Sequence, residues 1–287
     1  MGRTSGAIER LPMLNFTRLF AGMCLAAVVL ASAESSLAQT PPAPAAPKPA
    51  AGPTEKINVV FVHGAFADGS SWAKILPALE AKGYNVVAIQ NPLSSLADDV
   101  AATKRVLDAA TGPVVLVGHS WGGTVITQAG NHDKVKALVY VAAFAPGDGQ
   151  SSVDTGKGFP SPPGITKLTP YADGFVYLPA EAVAQDFVPD AKPAEKKLIA
   201  ATQGPIRAKN FEEKVTSAAW KTKPSYYIVA TADRMIDPGQ QRAMAKQINA
   251  TTTEVKSGHV PMVSAPKAVS DVIIAAASKV ASPAAPK

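Results

Sequence analysis

A serine framed by glycines is the most specific chemical signal in this sequence. It stands in Gly118-His119-Ser120-Trp121-Gly122, between a predicted strand (113–117) and a predicted helix (122–130). A sharp strand-to-helix turn strains the backbone and lifts the serine hydroxyl above the sheet. Glycines are needed on either side because a Cβ there would collide with neighbouring elements. The pattern therefore predicts Ser120 as a nucleophile, with a plain glycine-rich turn as the alternative.

A serine hydroxyl attacks only after a base has taken its proton, and four histidines are candidates for that base. His259 lies between the last predicted strand and the last predicted helix, at the level where the serine should emerge. His63 belongs to a turn at the end of a strand, His119 must point away from the adjoining serine, and His132 stands at a polar helix end. We therefore predict His259 as the general base and structural or solvated roles for the other three.

The base in turn needs a carboxylate that fixes its tautomer and stabilises its imidazolium form. Asp233 and Asp237 both follow the predicted strand 225–230, and we favour Asp233 because it is closer to the strand end. Asp237 precedes Pro238 and could equally be the N-cap of the next helix. Asp148 is a third candidate.

Negative charge on a reacting carbonyl oxygen requires two backbone N–H groups that point at it. Trp121, directly after the serine, offers one such group. The turn that follows the first predicted strand offers the other, from Ala65. We predict these two residues as the oxyanion hole. The bulky Trp121 side chain is also expected to narrow the floor of the pocket.

The elements that must bring these residues together alternate between strand and helix. This alternation predicts the α/β class, with a mostly parallel sheet, helices on both faces, and sites outside the carboxyl ends of the strands. The predicted strands are 57–62, 84–90, 113–117, 135–144, 225–230 and 252–256, and the predicted helices are 71–82, 96–110, 122–130, 239–249 and 267–279.

The segment 146–223 interrupts this alternation. It is rich in Gly and Pro and carries short helical patches at 180–187 and 194–202, so we interpret it as a cap inserted over the sheet. Its apolar and aromatic side chains are expected either to line the substrate pocket or only to pack the cap onto the sheet. These residues are Phe175, Tyr177, Phe187 and Trp220.

Both ends of the chain differ in composition from its centre. Residues 1–38 combine arginines with a short apolar run and end in Ser36-Leu37-Ala38, which predicts a signal peptide cleaved after Ala38, with Ala33 as the second choice. A retained membrane anchor is the alternative. A Pro/Ala-rich linker follows over 39–55, the folded domain over 56–280, and a frayed tail over 281–287. We expect a periplasmic or secreted protein with no membrane contact after cleavage.

Composition excludes several other classes of protein. The 287 residues are 47% hydrophobic and 17% charged, which is typical of a folded domain. The single cysteine, Cys24, excludes a disulfide framework and a thiolate-clustered metal site. The net charge of +6 is spread without a basic block, so nucleic acid is not an expected partner. No metal or organic cofactor is predicted, and nothing in the sequence indicates the oligomeric state.

The chain order Ser120, Asp233, His259 is that of the α/β hydrolases. Over 56–280 the sequence resembles that superfamily, most closely the compact branch of plant methyl-ester esterases and hydroxynitrile lyases with its exported bacterial relatives. The motifs that carry the resemblance are Phe61-Val62-His63-Gly64-Ala65, Gly118-His119-Ser120-Trp121-Gly122-Gly123, Tyr227-Ile228-Val229-Ala230-Thr231-Ala232-Asp233 and Gly258-His259. The resemblance implies the α/β-hydrolase fold with a small cap.

These observations predict a serine esterase that cleaves a small carboxylic ester through an acyl-enzyme on Ser120. A lactonase, a perhydrolase or a C–C lyase would use the same three residues, and a binding protein could retain them without catalysis. By resemblance, a hydroxynitrile lyase would also need a cation beside the pocket. Lys256 and Lys267 flank His259 only loosely.

Overall fold

The computed structural model describes residues 55–281. The predicted signal peptide with Cys24, nearly all of the linker, and the last six residues lie outside this range. The strands are β1 (Asn58–Val62), β2 (Asn85–Ala88), β3 (Val114–His119), β4 (Val135–Val141), β5 (Thr169–Pro170), β6 (Phe175–Tyr177), β7 (Ile206–Arg207), β8 (Ser225–Ala230) and β9 (Thr251–Val255). The helices are α1 (Leu76–Glu80), α2 (Leu96–Ala109), α3 (Trp121–Ala129), α4 (Ser152–Thr155), α5 (Ala180–Ala182), α6 (Pro193–Thr202), α7 (Pro238–Gln247), α8 (Pro261–Ser264) and α9 (Pro266–Ala281).

Six strands form one central sheet in the order β2-β1-β3-β4-β8-β9. Every neighbouring pair is parallel. All residues of β1 and β3 are buried, which requires cover on both faces and explains their continuous apolar sequences. Helices α2 and α3 pack on each other and on the central strands, while α9 packs with α1. The predicted α/β class with a parallel sheet is confirmed.

The helix predicted over 71–82 is wrong as a single element. The structure has a 3₁₀ turn at Gly69–Trp72 and then the separate helix α1. Pro77 is the cause, because a proline inside a continuous helix lacks an N–H donor and clashes with the carbonyl one turn earlier. The helix therefore restarts, with Pro77 in its first turn, where a proline is tolerated.

The long helix α2 begins where its sequence specifies. The Ser95 side chain accepts a hydrogen bond from the Asp98 N–H, and the two acidic residues of the first turn suit the positive end of the helix dipole. One of them, Asp99, lies on the buried face of the helix and is fully enclosed. This carboxylate contacts the side chain of Trp121, the residue directly after Ser120.

The segment between β4 and β8 is folded as a small layer of its own. It contains α4, α5 and α6 and a three-stranded antiparallel sheet in the order β5-β6-β7. The predicted helical patches correspond to α5 with the π-helical turn Val183–Phe187, and to α6. No sequence pattern indicated the cap sheet, because strands of two or three residues are too short to show an alternation of apolar and polar residues.

Candidate active site

Ser120 lies at the sharp turn between β3 and α3. Its backbone has φ 52° and ψ −121°, a conformation that L-residues rarely adopt. The turn is possible because its glycines lack a Cβ: a Cβ on Gly122 would lie 2.3 Å from the Val62 carbonyl oxygen, and one on Gly118 would lie 2.6 Å from the Gly122 carbonyl oxygen. The strained turn holds the Ser120 side chain at the carboxyl end of β3, where it borders a cavity.

The structure brings three of the predicted residues into one chain of hydrogen bonds. His259 Nε2 lies 2.8 Å from Ser120 Oγ, and His259 Nδ1 lies 2.7 Å from Asp233 Oδ2. A carboxylate only accepts hydrogen bonds, so Nδ1 carries the proton and Nε2 is free to accept the serine hydroxyl. Ser120 follows β3, Asp233 follows β8 and His259 follows β9, so all three lie at the same edge of the sheet.

Asp233 is held in place by further donors. Its Oδ1 accepts the backbone N–H groups of Met235 at 2.7 Å and of Ile236 at 3.0 Å. The two other candidate carboxylates, Asp237 and Asp148, form hydrogen bonds with other residues and not with His259. Asp237 caps α7 by accepting from the Gln240 N–H, and Asp148 accepts from the Ala218 N–H and pairs with Lys221.

Gln241 also belongs to this site, although no sequence motif pointed to it. Its Nε2 donates to Asp233 Oδ2 at 2.7 Å and to the Ile236 carbonyl at 3.0 Å, and its Oε1 accepts from the Ala230 N–H. That backbone donor fixes the orientation of the amide. The only sequence signal is its spacing: Gln241 stands three and four residues before Met244 and Ala245, and the three share the buried face of α7.

Two backbone N–H groups stand free beside Ser120. Within residues 55–281 neither the Ala65 N–H nor the Trp121 N–H is bonded to an acceptor. Trp121 is the first residue of α3, where the N–H has no partner inside the helix. Gly64 permits the close approach of the two segments, because a Cβ there would lie 2.6 Å from Ser120 Cβ and 3.1 Å from Trp121 N. The arrangement suits a carbonyl oxygen that gains negative charge.

The remaining histidines support the loops of the site. His63 Nε2 accepts from the Asn91 N–H at 2.8 Å, so its Nδ1 donates to the Gly64 carbonyl. His119 Nε2 donates to the His259 carbonyl at 2.8 Å. Burial is the main cause that lowers the pKa of both imidazoles, so both are neutral here. His132 lies at the far end of α3 beside Asp108.

The expectation that the Trp121 side chain narrows the pocket floor is wrong. The indole is fully buried away from the cavity, donates from Nε1 to Asp99 Oδ2 at 2.7 Å, and packs edge-on against Phe211. Asp99 Oδ1 accepts from the Leu93 N–H. Burial raises the pKa of Asp99 to about 6. Because Asp99 accepts the indole N–H from the side of α2, the Trp121 side chain lies outside the cavity.

A cavity of about 440 Å³ opens above Ser120 and His259. Its walls are mostly apolar and come from the cap, from the loop after β1 and from the loop after Asp233. The apolar side chains that form them are Phe66, Phe144, Val153, Phe159, Ile165, Leu168, Phe211, Met235 and Ile236. The cavity can hold a small apolar molecule with its carbonyl beside Ser120.

None of the four aromatic cap residues named from the sequence borders this cavity. Phe187 packs against the His259 ring at 5.3 Å and also faces His119. Trp220 donates to the Pro146 carbonyl, and Tyr177 packs on Tyr171. The alternative that these aromatics pack the cap therefore describes them better than a role in lining the pocket.

The cap is bonded to the loops that carry both Asp233 and His259. The buried Asp186 carboxylate pairs with Arg234 at 2.7 Å and with Lys167 at 2.6 Å. Asp190 Oδ2 accepts from the Gly258 N–H at 2.8 Å, directly before His259. Cap and catalytic loops are thus held as one unit.

Neither of the two lysines considered for a hydroxynitrile lyase, Lys256 and Lys267, lies beside the cavity. Lys267 is exposed and paired with Asp271, whereas Lys157 lies at the cavity wall with its amine on Asp154. Residues 55–281 contain no cluster of three His, Cys, Asp or Glu side chains that could hold a metal ion. Nor does this range include a helix long and apolar enough to cross a bilayer.

Matches to known proteins cover about three quarters of this chain. A model of the alpha/beta hydrolase family matches residues 59–272. "Probable hydrolase R7" of Phoma sp. is 28% identical over 239 residues, which cover 75% of this chain and 96% of that protein. "Methylesterase 8" of Arabidopsis thaliana is 27% identical over 257 residues, covering 78% and 90%. The crystal structure of a pyrethroid hydrolase from Sphingobium faniae JZ-2 has a TM-score of 0.68 and 22% identity, and the match covers 78% of this chain and 98% of that one.

Proposed function

The chain belongs to the alpha/beta hydrolase family, and from this premise we propose that it cleaves a small carboxylic ester through an acyl-enzyme formed on Ser120. Membership confirms the fold and the resemblance inferred from the sequence motifs. The observation that carries the proposal is the unbroken hydrogen-bond chain from Ser120 through His259 to Asp233 at the wall of an apolar cavity. The names of the relatives, methylesterase and pyrethroid hydrolase, support an ester as substrate.

Acylation uses each of these groups in turn. Ser120 Oγ attacks the ester carbonyl carbon while its proton passes to His259 Nε2. The carbonyl oxygen becomes an oxyanion that accepts from the N–H groups of Ala65 and Trp121. Asp233 stabilises the imidazolium and keeps it oriented. When the tetrahedral intermediate collapses, the ester C–O bond breaks, His259 returns the proton to the departing alcohol, and the acyl group stays on Ser120.

Deacylation repeats the sequence with water. His259 Nε2 takes a proton from a water molecule, which attacks the acyl carbonyl, and the same two N–H groups hold the second oxyanion. Collapse breaks the bond to Ser120 Oγ, returns the proton to it, and releases a carboxylic acid. Phe187 packs against the His259 ring at a centroid distance of 5.3 Å, and the imidazole is 1% exposed, so its orientation is held both by packing on the ring and by its hydrogen bonds.

Hydrolysis of short-chain p-nitrophenyl esters tests this function. We expect turnover by the natural sequence and a loss of at least a thousandfold in Ser120→Ala, in which only binding and the oxyanion donors remain. Ser161→Ala, at the exposed rim of the same cavity, is the matched control and should retain activity. Equal turnover by Ser120→Ala and the natural sequence would remove the proposed mechanism.

A further inference from the structure

The cavity above Ser120 has one polar corner. Ser152 and Gln240 border the cavity and are almost fully buried, at 2% and 4% exposure. Their neighbours on the wall are mostly apolar. A polar group enclosed at an apolar wall costs free energy unless it finds a partner, so the unused hydrogen-bonding capacity of these two side chains bears on the choice of substrate.

The orientation of the Gln240 amide follows from its neighbour. Gln240 Nε2 lies 3.0 Å from Thr155 Oγ1. The single hydroxyl hydrogen of Thr155 is donated to the Ser152 carbonyl at 2.7 Å, so Thr155 Oγ1 can only accept from Gln240. The amide must therefore present its NH₂ group to Thr155, which leaves Oε1 as the free end.

The Gln240 Oε1 atom has no donor among the described residues, and it is not sealed from solvent. The Gln240 amide lies beside Gly156, another wall residue: a Cβ on Gly156 would be 3.7 Å from Nε2 and 3.8 Å from Oε1. Ser152 Oγ shares one hydrogen bond of 2.7 Å with Thr124 Oγ1, in which either hydroxyl can be the donor. When Thr124 donates, the Ser152 hydroxyl hydrogen is free. The corner then offers one acceptor and one donor.

This corner lies close to the reacting serine. Thr124 lies in the first turn of α3, which begins directly after Ser120. Ser152 contacts Thr124, and Ser120, Ser152 and Gln240 line the same cavity. Resting on the esterase function proposed above, we propose that Ser152 and Gln240 form a subsite that binds a hydroxyl group of the substrate. A hydroxyl is suited to both groups, because it can donate to Gln240 Oε1 and accept from Ser152. The preferred esters therefore carry a hydroxyl a few bonds from the ester carbonyl, on an otherwise apolar chain.

Paired esters test the subsite. One series consists of methyl esters of ω-hydroxy acids from butanoate to octanoate, each compared with the parent ester without the hydroxyl. The other consists of acetate monoesters of the matching diols, compared with the simple alkyl acetates. We expect at least one hydroxylated ester to exceed its parent by about tenfold in kcat/KM, the effect of one satisfied hydrogen bond. A ratio near one across both series would overturn the proposal.

Variants locate the preference. Gln240→Leu and, independently, Ser152→Ala should bring the ratio of hydroxylated to parent ester close to one while parent esters are still hydrolysed. Ser152→Ala keeps the backbone carbonyl to which Thr155 donates, so it leaves the Gln240 orientation intact even if Gln240→Leu fails to fold. Leu168→Val, on the apolar wall, is the control that should leave the ratio unchanged.

The outcomes separate this proposal from the esterase function. If parent esters are hydrolysed but both variants keep the full preference, another residue reads the hydroxyl and the subsite is refuted. If Gln240→Leu lowers the turnover of both members of each pair equally, its role is to anchor α4 to α7 through Thr155, which also refutes the subsite. Failure of the esterase function itself would appear as parent-ester hydrolysis that Ser120→Ala does not reduce.

Discussion

Gln241 Nε2 donates to Asp233 Oδ2 at 2.7 Å, and this is the same oxygen that accepts from His259 Nδ1. One carboxylate oxygen therefore joins the helix α7 to the imidazole. The other end of the amide is bound to the Ala230 N–H at the end of β8. Gln241 thus fixes the distance between the strand, the carboxylate and the histidine, which makes it a positioning residue for the proposed reaction.

Replacing Gln241 with Leu should lower kcat more than it changes KM. The substitution removes one donor from a buried carboxylate and frees Asp233 to rotate, at a cost of about 10- to 100-fold, as for a hydrogen bond to a charged group. Steady-state kinetics on a p-nitrophenyl ester measure the split. Gln247→Leu, an exposed glutamine on the same helix, is the control.

The two outcomes of the Gln241 experiment are distinct. A melting temperature near that of the natural sequence together with a lowered kcat supports a positioning role. An unchanged kcat in a folded Gln241→Leu protein contradicts it, because the donor to Asp233 would then be dispensable.

Asp233 binds His259 and Asp237 does not, so replacing each with Asn should have unequal effects. Asp233→Asn should reduce kcat by about a thousandfold or more, because His259 loses the partner that sets its tautomer. Asp237→Asn should have little effect, since Asn also caps helices well and Asp237 accepts only from the first turn of α7. Parallel kinetics on the two variants decide the matter, and a larger loss at Asp237 would reverse the assignment.

Asp99 predicts an unusual pH dependence of stability. Its pKa in the folded chain is raised by burial to about 6, against about 3.9 for an unfolded aspartate. Between these values the folded state binds more protons than the unfolded state, so the contribution of Asp99 to stability falls as pH rises through this window. Two pKa units correspond to roughly 3 kcal/mol. Every other aspartate with a shifted pKa among the described residues has its pKa lowered, which gives the opposite pH dependence.

Urea unfolding at pH 4 and pH 7 checks this. The difference in the free energy of unfolding between the natural sequence and Asp99→Asn should change by roughly 2 kcal/mol between these pH values, to the disadvantage of the natural sequence at pH 7, since at pH 4 about half of the unfolded aspartates are already ionised. Asp98→Asn, on the exposed face of the same turn, should not reproduce this change, because hydrogen bonds from Ser94 and Ser95 lower the pKa of Asp98. A difference that is independent of pH would show that Asp99 does not titrate in this range.

Export to the periplasm or medium remains a proposal that rests on residues 1–38. Expression in a Gram-negative host followed by mass spectrometry of the mature protein measures its N-terminus. We expect Gln39 as the first residue. An intact residue 1 in the membrane fraction would instead support a retained anchor.

The sheet was predictable because its strands have a recognisable sequence pattern. β1, β3 and β8 are β-branched or aromatic runs that end in glycine or in turn residues, and the parallel arrangement places their carboxyl ends together. Ser120 and His259 could therefore be assigned to one edge from loop positions alone. Asp233 needed only its place nearest the end of β8.

Other features depend on contacts that no local pattern shows. Gln241 acts through Asp233 because α7 packs against β8, and Trp121 leaves the pocket because Asp99 from α2 accepts its indole N–H. The walls of the cavity come from Phe159 and Leu168 rather than from Phe175 and Tyr177, since the path of the cap is set by its small antiparallel sheet and by Asp186 on Arg234. Such long-range pairings are fixed only when the whole chain is folded.

Covalent labelling tests directly whether Ser120 is the nucleophile. The protein is treated with a fluorophosphonate, which reacts with an activated serine hydroxyl, and is then digested and mapped by mass spectrometry. We expect one adduct per chain on the peptide that contains Ser120, abolished in Ser120→Ala and strongly slowed in His259→Ala. Ester hydrolysis by a protein that acquires no adduct at Ser120 would contradict the account.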